Sequence, residues 1–223
     1  MEAVKIQDTE TLRKIFSTER TIVLIGQSAC GKETQAKILL EMFQKYSPED
    51  FQKLYLETGG LFRQNIPKYS DYMRQKLADI NDTGGLQSPA FGITQWTGAV
   101  LEQWQGKGHI LIDGSPRSEE EARSMFSMYT DCIGREMTVF HIKVSDEVAE
   151  ERMVRRNLEL LSEGKVPRKD SATPESRKRK LSFYHEHVRD AVLFLEEIGV
   201  CVHKIDGEKT VEEISEEILL KLL

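Results

Sequence analysis

Cysteine is scarce. There are three in 223 residues, Cys30, Cys132 and Cys201, an odd number with no C-x-x-C spacing. This excludes a disulfide framework and a cysteine-based zinc site, and makes a reducing cytoplasm the simplest compartment. Long hydrophobic runs are missing too, and no window approaches the roughly 18 apolar residues that a membrane span needs. The opening segment MEAVKIQDTETLRK has no apolar h-region, so no secretory signal is expected. Positive charge is in deficit, with 31 Lys and Arg against 37 Asp and Glu and a net charge of -6, which excludes a general nucleic-acid binder. Internal repeats and low-complexity tracts are absent. What remains is 39% hydrophobic and 30% charged, the balance of a soluble chain able to build a core. The length suits one large domain, or one domain with small insertions.

The charge is unevenly spread. Ten Lys and Arg against four acids lie between Arg152 and Lys180, giving that stretch +6 and leaving -12 for the rest. A basic segment in an acidic protein points to a small polyanion such as a polyphosphate. A solvated, salt-bridged helix surface is the alternative.

Short apolar runs at Thr21–Ile25, Leu54–Glu57, His109–Ile112, Thr138–Val144 and Val200–Ile205 read as strands. Helical patterns lie between and after them, at Glu33–Tyr46, Phe91–Gln105, Glu119–Met128, Asp146–Arg156, Glu175–Ile198 and Val211–Leu222. Strands separated by helices predict βαβ units and a parallel sheet covered on both faces. Thr9–Ser17 adds an N-terminal helix. Leu61–Gly85, polar and helical in character, and Asn157–Ser171, a charged loop with Gly164 and Pro167, break the alternation. Both read as small insertions of the kind that cover active sites.

The first strand runs into Gly26-Gln27-Ser28-Ala29-Cys30-Gly31-Lys32, a G-x-x-x-x-G-K pattern that opens a helix. Glycines let the backbone wrap a phosphate with its N–H groups inward. The helix N-terminus adds a positive dipole, and Lys32 reaches the outer phosphates. The residue after the lysine is Glu33, with Thr34 one place later. An acid suits the first helical turn but repels a polyphosphate, unless it points away or helps hold a metal. Cys30 reads as a small residue that fits the loop rather than as a redox sensor.

From this loop onward the chain resembles the adenylate kinases and their nucleoside monophosphate kinase relatives. Five segments carry the resemblance in the family's order. Gly31-Lys32-Glu33-Thr34-Gln35 is similar to G-K-G-T-Q, and Thr58-Gly59-Gly60-Leu61-Phe62-Arg63 to T-G-D-x-x-R. His109 to Arg117 resembles a strand ending in D-G-F-P-R. Glu151-Arg152 through Arg156 resembles E-R-x-x-x-R, and Asp206-Gly207-Glu208-Lys209 the D-G-x-x segment near the ATP base. The resemblance implies a P-loop NTPase-type α/β fold with a five-stranded parallel sheet in order 2-3-1-4-5 and helices on both faces. It implies an N-terminal helical extension at 1–20 and one kinase domain at 21–223, with a monophosphate-binding insertion near 58–88 and a short lid near 157–170. The lid has no cysteine pairs, so a zinc-bearing lid is not expected.

The resemblance also implies roles. ATP would bind at Gly26, Ala29, Cys30, Gly31, Lys32, Glu33, Thr34, Arg152 and Lys209, with Arg152 stacked on the adenine. Arg63 and Arg117 would clamp the acceptor's α-phosphate, because a guanidinium fork matches phosphate oxygens. Thr58, Gly59, Gly85, Leu86, Gln87, Gly114 and Glu121 complete the acceptor site. Arg156 and Arg168 would close over the transferring group. Ungapped alignment from Arg168 adds Arg179 to them, while the Tyr184-His185 register selects Lys180. Asp113 would orient the water shell of Mg²⁺, with no direct protein ligand to the metal. The activity implied is phosphoryl transfer from MgATP to a nucleoside monophosphate. AMP is the first choice and GMP, CMP or UMP the alternatives, and a binding protein with little turnover is a further alternative. Small-molecule nucleotides are the expected partners of a cytoplasmic monomer, without nucleic acid or membrane.

Two positions disagree about the base. Thr58 goes with adenylate kinases. Glu121 stands where the family has a glutamine, and a carboxylate only accepts hydrogen bonds, which suits guanine's two neighbouring donors. The alternative for Glu121 is an acidic helix start favoured by the dipole. Ser115 replaces the family's Phe. His185 and His187 read as surface positions, His109, His141 and His203 as strand residues of the core or edge, and Trp96 and Trp104 as one packed helix face.

Overall fold

The computed structural model describes residues 8–82 and 87–223. Five parallel strands, β1 (Thr21–Ile25), β2 (Gln52–Glu57), β3 (Gly108–Asp113), β4 (Met137–Lys143) and β5 (Cys201–Asp206), form one sheet in the order β2-β3-β1-β4-β5. This is the expected order. Strands β1 and β3 are buried along their whole length, as central strands covered on both faces must be.

Alternation along each strand divides the core. Val23, Ile25, Ile110, Ile112 and Val139 face one layer. There they meet Trp96 of α5 (Pro89–Gln103), Met125 of α6 (Glu119–Phe126) and Leu195 of α9 (Arg189–Glu197). Ile22, Leu24, Leu111, Phe140 and Ile142 face the other layer, against α1 (Thr9–Phe16), α2 (Lys32–Tyr46) and α10 (Val211–Leu222). The N-terminal helix α1 therefore belongs to the core. Asp8 caps it by accepting from the Glu10 and Thr11 amides, and Phe16 packs edge-on against Phe43 with ring centroids 5.3 Å apart.

Two stretches differ from the sequence reading. The helix expected at Asp146–Arg156 continues to Ser162 as α7, so residues 157–162 are helical rather than loop. Gly164, at φ 70°, turns the chain after it, and Asn157 fastens the return by donating to Ser171 O (3.1 Å) and accepting from the Arg168 amide (3.1 Å). The long helix expected at Glu175–Ile198 is α8 (Pro174–Phe183), a π-helical turn at Tyr184–Val188, and then α9. The wider turn leaves Tyr184 buried, with its hydroxyl 2.6 Å from His141 Nε2. The stretch after β2 folds as α3 (Thr58–Asn65), a 3-10 turn and α4 (Asp71–Asp82).

Register places the working end of the sheet. Leu24 and Glu57 both pair with Asp113, so β1, β2 and β3 end together, and Gly26, Thr58 and Gly114 leave the sheet along one edge. Open parallel sheets bind ligands beyond the carboxyl ends of their strands.

Candidate active site

A cleft of about 970 Å³ lies along that edge. The loop after β1 forms its floor. Gly26 (φ 157°) passes so close to β4 that a Cβ there would stand 2.2 Å from Ile142 O and 2.6 Å from Cys30 Sγ. Ala29 and Gly31 also have positive φ, 63° and 104°, which folds the loop back before α2 begins at Lys32. The Lys32 ammonium donates to Gly26 O (2.7 Å) and Gln27 O (2.8 Å) inside the curl. Gly26, Ala29, Cys30, Gly31, Lys32, Glu33 and Thr34 all line the cleft. Cys30 is fully buried, 3.4 Å from Lys32 Nζ, which fits the packing role read for it.

Glu33 turns along the helix surface. Its Oε1 accepts from Lys37 Nζ (2.9 Å), and its Oε2 lies 3.5 Å from Arg168 Nη2. Lys37's hydrogen bond holds this carboxyl below the usual range, with Arg168 and Arg156 adding to it.

Opposite the loop, Asp113 ends β3 and is 5% exposed. Burial raises its carboxyl, the Lys32 charge opposes that rise, and Tyr55 donates to Oδ2 at 3.4 Å. Arg117 donates from Nε to Gly114 O (2.6 Å), which aims the rest of its fork at the cleft. Arg63 lies across from it on α3, and Glu57 accepts from its Nη2 at 3.0 and 3.2 Å. The Glu57 carboxylate fills the room beside Gly59 and Gly60, where a Cβ would meet it at 2.7 and 2.4 Å. Gly59, Gln87 and Gly114 line the same space, whereas Gly85 and Leu86 lie outside the described residues. Thr58 and Glu121 are buried behind this wall and do not line the cleft.

The third wall is cationic. Arg152 donates to Gly207 O (3.0 Å), and Lys209, paired with Glu217 (2.8 Å), continues that side. Arg156 donates from Nη2 to Ser171 Oγ (3.3 Å), while its buried Nε has no hydrogen-bond partner among the described residues. Burial lowers the Arg156 pKa, and the neighbouring Arg168 lowers it further. Between the two candidates on α8, Lys180 lines the cleft and Arg179 is exposed outside it. Lys180 is bound to Asp170. Burial raises that carboxyl, and Lys180, Arg156 and Arg168 together more than reverse the rise.

The sequence reading passed over Glu57, Tyr55, Asp170 and Asn157. Only Asp170 left a signal, as one of four acids in the basic stretch. A cleft with a curled amide loop, a buried guanidinium N–H lacking an acceptor and several further cations suits a polyphosphate. Asp113, a carboxylate beside that loop, suits a hydrated Mg²⁺, which keeps several waters of its own. Among the described residues no three His, Cys, Asp or Glu side chains cluster to hold a metal directly, and no helix is long and apolar enough to cross a membrane.

A family model described as Zeta toxin matches residues 5–204. The chain is similar to an adenylate kinase of Elusimicrobium minutum, 28% identical over 217 residues, which cover 88% of this chain and 95% of that protein. It is 29% identical over 197 residues to an adenylate kinase of Corynebacterium aurimucosum, covering 88% and 96%. With one of Deinococcus radiodurans it shares 23% identity over 203 residues, covering 91% and 96%.

Proposed function

The chain belongs to the Zeta toxin family, and from that membership, its similarity to adenylate kinases and the geometry of the cleft we propose that it is a nucleotide kinase. It moves the terminal phosphoryl group of ATP to a nucleoside monophosphate, with AMP as the first acceptor. The observation that carries this reading is the convergence of the Gly26–Lys32 loop with Arg63, Arg117, Arg156, Arg168 and Lys180 on one cleft.

Phosphoryl transfer needs alignment and charge neutralisation more than covalent help. The acceptor's phosphate oxygen is itself the nucleophile, so no general base is required. Lys32 leaves the loop carbonyls for the donor phosphates. Arg63 and Arg117 hold the acceptor phosphate, while Arg156 and Arg168 draw in over the transferring group. Asp113 would orient the water shell of a bound Mg²⁺, which would supply neutralisation of the donor charge. In this reading residues 21–223 together with α1, which packs into the same core, are the kinase domain, with 58–88 the acceptor insertion and 157–170 the lid. The enzyme works as a cytoplasmic monomer on free nucleotides.

A coupled assay with MgATP against AMP, GMP, CMP, UMP and dTMP tests the proposal. The expected result is turnover with AMP that falls by at least about 100-fold in Lys32→Ala, the scale of losing one charge-stabilising donor. The Glu33–Arg168 pair favours a second reading, a nucleotide-binding protein with little turnover. ATP binding by calorimetry, together with silence across the panel, would establish that reading instead.

A further inference from the structure

Glu121 stands where the resemblance puts a base-reading residue, yet its surroundings describe other work. Its carboxylate is 2% exposed. One oxygen, Oε2, accepts both the Arg117 amide (2.9 Å) and the Ser115 hydroxyl (3.1 Å). Ser115 in turn accepts from the Thr58 hydroxyl at 2.8 Å, and both residues are fully buried. The other oxygen, Oε1, presses on α5, where a Cβ on Gly92 would stand 2.4 Å from it. Its own backbone is pinned, because the Glu121 amide donates to Ser118, the cap of α6 (3.2 Å).

Arg117 lies on the turn after β3. Thr58 is the first residue of α3, the helix after β2 that carries Arg63. One buried acceptor therefore ties together the two segments that hold the acceptor-side arginines. We propose that Glu121 is a positioning residue: it sets Arg117 and Arg63 relative to one another through the Arg117 amide and the Ser115–Thr58 hydroxyls, and it does not read the base. This rests on the nucleotide-kinase reading. Ser115 and Glu121, both departures from the family pattern, then form one coupled device, since a phenylalanine at 115 has no hydroxyl to join the chain. Gly92 completes it by leaving room for the carboxylate.

The test uses Glu121→Ala, Glu121→Gln, Ser115→Ala and Gly92→Ala in the full chain. Displacing a clamp by about 1 Å costs on the order of 10- to 100-fold. Glu121→Ala is expected to lose that much kcat/KM for every monophosphate alike, with KM for ATP little changed. Glu121→Gln keeps an acceptor oxygen and should recover most of the loss without altering the ranking of bases. Gly92→Ala, which shifts the carboxylate without removing it, and Ser115→Ala, which cuts the link to Thr58, should give smaller losses of the same kind. They also stand in if Glu121→Ala fails to fold.

Hydrogen exchange at the Arg117 amide supplies a readout independent of turnover, with protection in the native chain and loss of it in Glu121→Ala or Gly92→Ala. A changed base ranking in Glu121→Gln would overturn the proposal. So would lowered thermal stability with unaltered acceptor kinetics, or an Arg117 amide unprotected in the native protein. Silence of the native chain toward all monophosphates would instead defeat the kinase reading, and amide exchange would still decide whether Glu121 holds the turn.

Discussion

Replacing Glu33 by glutamine tests the least family-like residue of the phosphate loop. Lys37 and Arg168 share its carboxylate, and Arg168 must leave it to serve a donor phosphate. At 3.5 Å, two unit charges attract by about 1 kcal/mol at the dielectric of water. The pair is half-exposed, and measured pairs of that kind contribute about 0–1 kcal/mol, so about 0.5–1 kcal/mol is the cost of releasing Arg168. Glu33→Gln should therefore lower KM for ATP about 2- to 5-fold. KM for the acceptor should not move. Because Lys37 holds the Glu33 carboxyl below its usual range, the effect should persist through the neutral pH range, where the group stays ionised. It should fade as salt rises toward 1 M, where the screening length falls to about 3 Å. In an Arg168→Ala background the gain should vanish, since the two residues form one pair. Initial rates across an ATP series, at low and high salt, provide the assay. A rise in KM for ATP would refute the reasoning and make Glu33 an aid to donor or metal binding. No change at low salt would show that Arg168 is not held back by it.

Other expectations follow from the same geometry. Gly26→Ala should cost about 2–4 kcal/mol by urea unfolding, because its Cβ would meet Ile142 O at 2.2 Å, and a native-like midpoint would refute that contact. Lys180→Met should reduce kcat more than Arg179→Met, since Lys180 lines the cleft; the reverse ranking would return the role to Arg179. Burial lowers the pKa of His109 and His141 to about 4 each. The unfolded chain then takes up protons first, so stability should fall as pH drops below about 6.5, approaching on the order of 3 kcal/mol per histidine near pH 4. Asp113 and Glu121, whose carboxyls burial raises, work in the opposite direction in acid. The slope is therefore best read between about pH 5 and 6.5, where a flat profile, or one unchanged in His109→Gln and His141→Gln, would refute the assignment.

The parallel sheet and the phosphate loop were legible in the sequence because each rests on local chemistry, whereas the strand order and the roles of the arginines came only from the resemblance to the nucleoside monophosphate kinases. Thr21–Ile25 is a buried strand wherever a parallel sheet is covered on both faces, and a glycine-rich turn before a helix builds its anion site from its own amides. The motif residues Asp113, Gly114 and Arg117 follow a strand that could be found from its apolar run alone. Where α7 would end was less legible. Its last turns depend on Asn157 clasping residues 168 and 171, a contact across the chain that periodicity does not contain.

Partnership between charges was decided only by the tertiary structure. Lys180 and Arg179 are neighbours with similar chemistry, and the path of α8 over Asp170 brings one of them into the cleft. Glu121, in a run of three glutamates, has the sequence context of a solvated helix start. Packing α6 against α5, where Gly92 leaves room for its carboxylate, buries it and ties it to Ser115 and Arg117. Sequence determines which charges a chain carries and which secondary structure bears them. Which charges face each other, and which lose their water, depends on how separate elements pack, and burial and partnership set what each charge can do.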